Sequence, residues 1–361
     1  MWCFDKTAIA SISRHIVPLT MFLGNSNRKL FPFGATNPSV TSGYWREWSI
    51  GIYAGVSPLE LSPMAKSVNP VLTREACPDI GAEFVADPFM IKHHGIWHMF
   101  FEFMERETQR GKIALATSED MRKWTFRQVV LEEPFHVSYP YVFTMDNEFY
   151  MIPETCAVKA VRLYKATDFP AKWSFVGTLL EGREFADPSV FYFNNRWWLF
   201  TGQRLSAVDD TLRLYHAEKL TGPWFEHPKS PILEGNRRAA RPAGRVLVIG
   251  DRIIRYAQDC YPAYGAQVRA FEVVELTTEN YSEIEIEGKS PILAGSGRGW
   301  NAAGMHHVDA HRVDDGTWVA CVDGFPAFIP PGPSLHRRIV QPIARFVNRI
   351  KYQYPSIFGP Q

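Results

Sequence analysis

A chain of 361 residues, 46% hydrophobic and 21% charged, has the composition of an ordinary globular protein. It exceeds the usual single domain, so two domains or one repeat architecture would fit. A net charge of +1 provides no field to gather nucleic acid or acidic lipid, and no basic stripe marks a nucleic-acid face.

Residues 1–43 read as an N-terminal extension. Asp5, Lys6, Arg14 and His15 interrupt the apolar core that a secretory signal needs. No run of about 18 apolar residues occurs, so no segment is expected to span a membrane. Cys3, Cys77, Cys156, Cys260 and Cys321 have neither metal-ligand nor redox spacing. Buried thiols in a reduced compartment are expected, and hence a cytoplasmic location.

From 44 to 328 the chain repeats. Segments 86–104, 138–156, 186–204, 240–260 and 304–324 each read as strand, polar turn, strand, with Gly, Asn or Asp in the turn. A second hairpin follows each of the first four. The fifth has none behind it, and its counterpart lies upstream at Trp48–Thr73. A period of roughly 50 residues suits four short strands with their turns. Helical repeats fail on the alternation of apolar residues and on the recurring Gly, Pro and Asn. Kelch repeats share the period but need a Gly-Gly pair that is absent. The expected fold is all-β: a five-bladed β-propeller closed by N-terminal strands, with a short C-terminal helical tail. Closure on the N-terminal strands removes free sheet edges.

The first strand of each propeller blade lines the axis. The heads of these strands are Asp87-Pro88, Tyr139-Pro140, Asp187-Pro188, Arg241-Pro242 and His306-His307. Proline tolerates a first strand position and is expected to hold the residue before it extended. Five polar heads in register predict one axial ligand site. Glu102, Glu154, Gln203, Asp259 and Asp323 end the second strands, as further acid, base or hydroxyl contacts or as bonds between blades. His307, Asp309 and His311 share a face of one strand but splay away from the axis. No spacing matches a zinc motif, so no metal or cofactor is expected.

Residues 329–361 form a basic tail. Leu335, Ile339, Ile343, Phe346, Val347 and Ile350 fall at helical spacing, with Arg337, Arg338, Arg345, Arg349 and Lys351 mostly between them. A helix docked on the propeller and a surface helix on anionic lipid both fit this pattern. The latter would make the protein peripheral at the inner membrane surface.

The segments VADPF (85–89), SYPYVF (138–143), MIPE (151–154), RPAGR (241–245), QDCYPAYG (258–265) and GMHHVD (304–309) carry a resemblance. As a set they resemble the N-terminal propeller domain of plant glucosamine inositolphosphorylceramide transferases. More distantly, the architecture and the first-blade Asp-Pro resemble the arabinanase, levansucrase and invertase superfamily of glycoside hydrolase families 43, 32 and 68. The hydrolase resemblance implies a first-blade Asp as base or nucleophile, a second-blade Asp that tunes it and a third-blade Glu as acid. Asp87 matches the first role, while Tyr139 and Asp187 stand at the other two heads. In the plant transferases, glycosyl transfer belongs to a different domain, so that resemblance assigns no activity by itself.

The expected function is carbohydrate-active: hydrolysis of, or transfer to, a glycan or glycoconjugate through axial carboxyl groups, one protonated and one ionised. Asp87, Asp187 and Glu154 are the candidate catalytic residues. Tyr139, Arg241, His306, His307, Gln203 and Asp259 are the candidate binding residues. Arg241 is expected to depress a nearby carboxyl pKa and to hold an anionic group. Tyr139 and the surface tryptophans are expected to stack on sugar rings. The alternative is a non-catalytic glycan-binding module that accompanies a glycosyltransferase. A protein-interaction propeller would instead show an apolar mouth.

Overall fold

The computed structural model describes residues 46–77, 81–205 and 208–326. The N-terminal extension and the C-terminal tail, with its expected helix, lie outside the described residues. The strands group into five sheets, the blades of a propeller, each an antiparallel meander. Blade 1 runs Ala82–His93, Ile96–Glu105, Gly111–Ser118, Thr125–Leu131. Blade 2 runs Ser138–Met145, Glu148–Thr155, Ala160–Asp168, Lys172–Glu181. Blade 3 runs Phe185–Phe193, Arg196–Leu205, Val208–Ala217, Phe225–Glu226. In blade 4 the inner strand is broken into Arg241–Pro242 and Leu247–Ile249, ahead of Arg252–Asp259, Gln267–Leu276 and Tyr281–Glu285.

Blade 5 is assembled from both ends of the described chain. Val308–Arg312 and Trp318–Gly324 are its inner strands, and Ser49–Ser57 and Glu60–Pro63 complete it. Ile50 lies opposite Asp323 and Ile52 opposite Cys321. Alternation sends Ile50 and Ile52 into the seam with blade 1, against residues such as Met99 and Phe101. Tyr53 goes to the other face, packing with Tyr256 and Val268 of blade 4. The seams between blades form the core, because each strand presents one apolar row to each neighbouring blade.

The inner strands carry a shared irregularity. Register slips by one residue between Ala86 and Phe89, between Ser138 and Tyr141, and between Ala186 and Ser189. Each slip is a β-bulge at an X-Pro head. Asp87, Tyr139 and Asp187 have φ of 51°, 46° and 50°. The expectation of an extended residue before proline therefore fails. Proline disfavours right-handed helical backbone, and the bulge supplies the left-handed alternative. Such a conformation costs about 1–3 kcal/mol for a non-glycine residue, so surrounding contacts must hold it.

Beneath the heads, the axis is filled by a hydrogen-bonded spine. The Gly244 N–H donates to the Tyr139 hydroxyl at 2.7 Å, and that hydroxyl lies 2.8 Å from Ser189 Oγ. Arg245 pairs with Asp309 at 2.6 Å and donates to the Val142 carbonyl, and Asp309 accepts the Met90 N–H at 2.7 Å. The two sets join residues of all five blades. The Arg245 guanidinium holds the buried Asp309 carboxyl below its ordinary range despite desolvation. Gly244 has φ 132°, and a Cβ there would meet the Val308 carbonyl oxygen at 1.8 Å.

Most tryptophans among the described residues serve the fold. Trp124, Trp173 and Trp224 occupy equivalent outer turns and donate their indole N–H to Met121, Pro170 and Leu220 carbonyls. Trp48, Trp97, Trp197, Trp198 and Trp318 are buried. The expected Trp-rich sugar surface gives way to packing inside the blades.

Two outcomes check this account. Gly244→Ala should fail to fold, or lose more than about 3 kcal/mol, since backbone blocks the new methyl group. Ile52→Ala should cost roughly 2–5 kcal/mol in urea unfolding with an unchanged denaturant slope. A cost below about 1 kcal/mol would mean that the closing strand contributes little to the ring.

Candidate active site

The bulges turn two of the strand heads into one cluster. The Asp87 N–H donates to Asp323 Oδ2, and the Asp187 N–H donates to Glu154 Oε2, both at 3.0 Å. In each case a carboxylate ending the second strand of one blade caps the bulged amide of the next. Asp323 of blade 5 serves blade 1, and Glu154 of blade 2 serves blade 3. Glu154 and Asp323 thus act as bonds between blades while standing beside the axial acids.

Asp187 is the most firmly held. Arg241 Nε reaches its Oδ2 at 2.5 Å and Nη2 its Oδ1 at 3.3 Å, while Gln258 Nε2 donates to Oδ2 at 2.8 Å. The same guanidinium lies 3.5 Å from Glu154 and 5.1 Å from the centre of the Tyr264 ring. Asp87 has looser partners: His306 Nε2 stands 3.5 Å and His307 Nδ1 3.9 Å from its Oδ1. His306 Nδ1 is 2.7 Å from Asp323 Oδ1. Its ring lies on Trp48, centroids 3.9 Å apart and planes 20° from parallel.

Asp87, Glu102, Glu154, Asp187 and Asp323 are buried together, so they cannot all be ionised cheaply. Burial raises Asp87 to about 7, opposed most by His306. Burial also raises Asp187 to about 7, opposed most by Arg241. The expected depression by Arg241 is therefore present but outweighed, because desolvation of a fully enclosed carboxyl exceeds the gain from one guanidinium. Glu102 is pushed well above its ordinary value by burial, then by the charges of Asp87, Glu154, Asp187 and Asp323. His306 is held above its ordinary value, burial being overcome by Asp323 and Asp87. The cluster can hold protonated and ionised carboxyls side by side near neutral pH, the condition for paired acid and base work.

The other sequence candidates have different surroundings. Tyr139 is fully buried, its hydroxyl in the axial spine and Phe89 and His307 edge-on to its ring at 4.8 and 5.3 Å. Enclosed on these sides, it offers no face to a sugar. His307 is also fully buried, its Nε2 2.9 Å from the Pro88 carbonyl, and burial lowers it to about 4, leaving it neutral. Gln203 is buried and accepts a hydrogen bond from Arg213 Nε of the next strand. Asp259 is enclosed within blade 4 by Arg269 at 2.9 Å, Gln267 at 2.8 Å and the Tyr261 N–H at 3.0 Å. These contacts tie Gln203 and Asp259 to their own blades.

Sequence reasoning missed Gln258, Tyr264 and Trp48 as neighbours of the acids. Gln258 and Tyr264 lie in the QDCYPAYG segment, but nothing in its spacing distinguishes the residue that meets Asp187 from its neighbours. Asp87, His306 and Asp323 bring possible ligand atoms within 4.8 Å of one another. Both Asp323 oxygens and His306 Nδ1 are engaged in hydrogen bonds, and His306 Nε2 is turned toward Asp87 Oδ1.

The linkage has a definite sign. Unfolded Asp titrates near 3.9, whereas folded Asp87 titrates at about 7. Between those values the folded state holds the extra proton, so this group's contribution to stability falls as pH rises from about 4 to 7. Asp87→Asn should therefore gain melting temperature relative to wild type as pH is raised from 4 to 8. A gap that stays constant across melts at pH 4, 6 and 8 would contradict the raised carboxyl.

Residues 43–325 match the family described as glucosamine inositolphosphorylceramide transferase 1, N-terminal. The glucosamine inositolphosphorylceramide transferase 1 of Oryza sativa subsp. japonica is 33% identical over 311 residues, covering 81% of this chain and 41% of that protein. The protein of that name from Arabidopsis thaliana is 28% identical over 312 residues, 81% of this chain and 40% of its own length. The chain thus spans about two fifths of the curated relatives it matches. Among solved structures, an α-L-arabinofuranosidase of Podospora anserina superposes with a TM-score of 0.52 at 13% identity, covering 79% of this chain and 98% of that one. The catalytic domain of a Coprinopsis cinerea family 62 α-L-arabinofuranosidase gives 0.51 at 15% identity, covering 75% and 84%. At such identities these two share the fold alone.

Proposed function

The chain belongs to the family of glucosamine inositolphosphorylceramide transferase N-terminal domains, a carbohydrate-related family, and on that premise we propose that it acts on a glycan or glycoconjugate through its axial carboxyl groups. The observation that carries this reading is the pairing of Asp87 and Asp187, each raised to about 7 by burial and each beside a cation. In this reading the protonated carboxyl donates to the departing glycosidic oxygen, and the ionised one acts as base or nucleophile. Asp87 takes the second role, because His306 opposes its protonation and Oδ1 has no hydrogen-bond partner that a substrate or water would have to displace. Asp187 is the acid. Glu154 and Arg241 hold it in place, and Glu102 is a second proton reservoir.

The relatives' name joins a glucosamine to an inositolphosphorylceramide, so an anionic glycoconjugate is the proposed substrate class. Arg238, half-exposed and stacked at 4.6 Å on the exposed Tyr261, would hold its phosphate, with Tyr261 as a ring platform.

One observation favours the second reading, a glycan-binding module without chemistry of its own. Asp187 retains only 1% of its surface and is fully engaged by Arg241, Gln258 and the Glu154 cap. A group so enclosed reaches a substrate only if the mouth opens.

Incubation with a panel of glycosylated inositolphosphorylceramides and plant-type oligosaccharides, read by mass spectrometry, separates the two. Turnover that falls at least about 100-fold in Asp87→Asn and in Asp187→Asn supports catalysis. Binding without product, unchanged in Asp87→Asn, supports the module.

A cytoplasmic position against the inner membrane surface belongs to the same proposal, with the basic tail as the contact. No helix among the described residues is long and apolar enough to cross a membrane. Full-length protein should pellet with anionic liposomes and a chain ending at Gly332 should not, with the difference shrinking as salt rises. Equal pelleting would remove the tail from the proposal.

A further inference from the structure

His306 is held too firmly for a residue that merely fills space. Its Nδ1 is 2.7 Å from Asp323 Oδ1, and its backbone N–H donates to the same oxygen at 3.3 Å. Trp48 covers one face of the ring at 3.9 Å, and Tyr264 meets it edge-on at 5.3 Å. The ring is 2% exposed and its orientation is fixed on all these sides. What remains is Nε2, 3.5 Å from Asp87 Oδ1. That oxygen is buried and has no hydrogen-bond partner.

We propose that His306 is a positioning residue that sets the proton state of Asp87, with Asp323 and Trp48 holding its imidazole in line. With His306 protonated, the Nε2–H faces Asp87 Oδ1 and favours the carboxylate. When His306 loses that proton, the attraction disappears and the midpoint at which Asp87 ionises moves up. The inference rests on the reading of Asp87 as the working base, and it supplies what keeps that base ionised.

Of the other charges facing Asp87, that of Asp187 also changes near neutral pH, its carboxyl being raised to about 7 by burial. Asp187 and Asp323 disfavour its ionisation, and Arg241 favours it. Asp87 and Glu102 of the same blade repel each other. Arg241 is committed to Asp187 and keeps its charge at all working pH. His307 is neutral, with Nε2 on the Pro88 carbonyl. Among the described groups around Asp87, His306 is the cation that can be switched off near neutral pH. Trp48 directly precedes the closing strand of blade 5, so ring closure and the protonation of Asp87 depend on the same segment.

The test uses the full chain labelled with 15N in the His rings and 13C at Asp Cγ, titrated by NMR from pH 4 to 9. The Asp87 and His306 signals are assigned by their loss in Asp87→Asn and His306→Gln. The Asp87 midpoint should rise by about one to three pH units in His306→Gln. The His306 midpoint should fall in Asp87→Asn and fall further in Asp323→Asn. An Asp87 midpoint that is unchanged without His306 overturns the proposal, as does a His306 midpoint indifferent to Asp87→Asn. Should His306→Gln fail to fold, the shift of His306 in Asp87→Asn decides alone. If coupled titrations are observed in a chain that turns over no glycan, the catalytic reading falls and the dyad stands. If the chain turns over glycan, the acid limb of kcat/KM must move up in His306→Gln, and a limb that stays put overturns the proposal.

Discussion

A carboxylate that ends the second strand of one blade and accepts the bulged amide of the next is the contact on which this molecule depends. Asp323 does so for Asp87, and Glu154 for Asp187. A left-handed backbone before proline is strained, and an enclosed N–H without an acceptor costs about 1–3 kcal/mol more. The cap relieves the second cost and fixes the first in place. It also brings a negative charge beside each of these two bulged residues, and both are acids. The fold's method of joining blades thereby concentrates carboxyl groups at the axis.

The electrostatics of the site follow from that concentration. Five buried carboxyl groups face Arg241 and His306, and burial dominates the balance at Asp87 and Asp187. Arg241 is shared between Asp187 and Glu154, whereas Asp87 depends on an imidazole with a charge of its own to lose. Two acids at equivalent places in the repeat therefore differ in character. Asp187 is gripped by a guanidinium whose charge does not change, and Asp87 stands beside a titrating partner. That asymmetry is the physical basis for assigning them different roles.

Below the acids, the spine of Tyr139, Ser189, Gly244, Arg245 and Asp309 closes the axis. Gly244 lets the broken inner strand of blade 4 approach Val308 closely enough for a backbone bridge. A propeller axis plugged in this way confines any ligand to the end where the strand heads gather. The tyrosine at the second head belongs to the plug and not to the mouth, its hydroxyl held by Ser189 and the Gly244 N–H.

The sequence alone determined the repeat, the number of blades and the closure of blade 5 by upstream strands, because each rests on short-range alternation and turn chemistry recurring at a fixed period. It also determined which residues stand at the strand heads, since Asp87-Pro88, Tyr139-Pro140 and Asp187-Pro188 mark themselves. Tertiary structure alone decided where those side chains go. The same one-residue bulge stands at all three heads, and the partners around each decide the outcome: Ser189 and Gly244 hold Tyr139 in the core, while Asp87 and Asp187 meet His306 and Arg241. Only the folded chain could match Asp323 with His306 and Asp87, or Gln258 with Asp187. These pairs join strands up to 236 residues apart, and their strength depends on burial that no local pattern encodes. The tuning of the carboxyls is likewise a property of enclosure, and it reversed the effect that Arg241 by itself would have had.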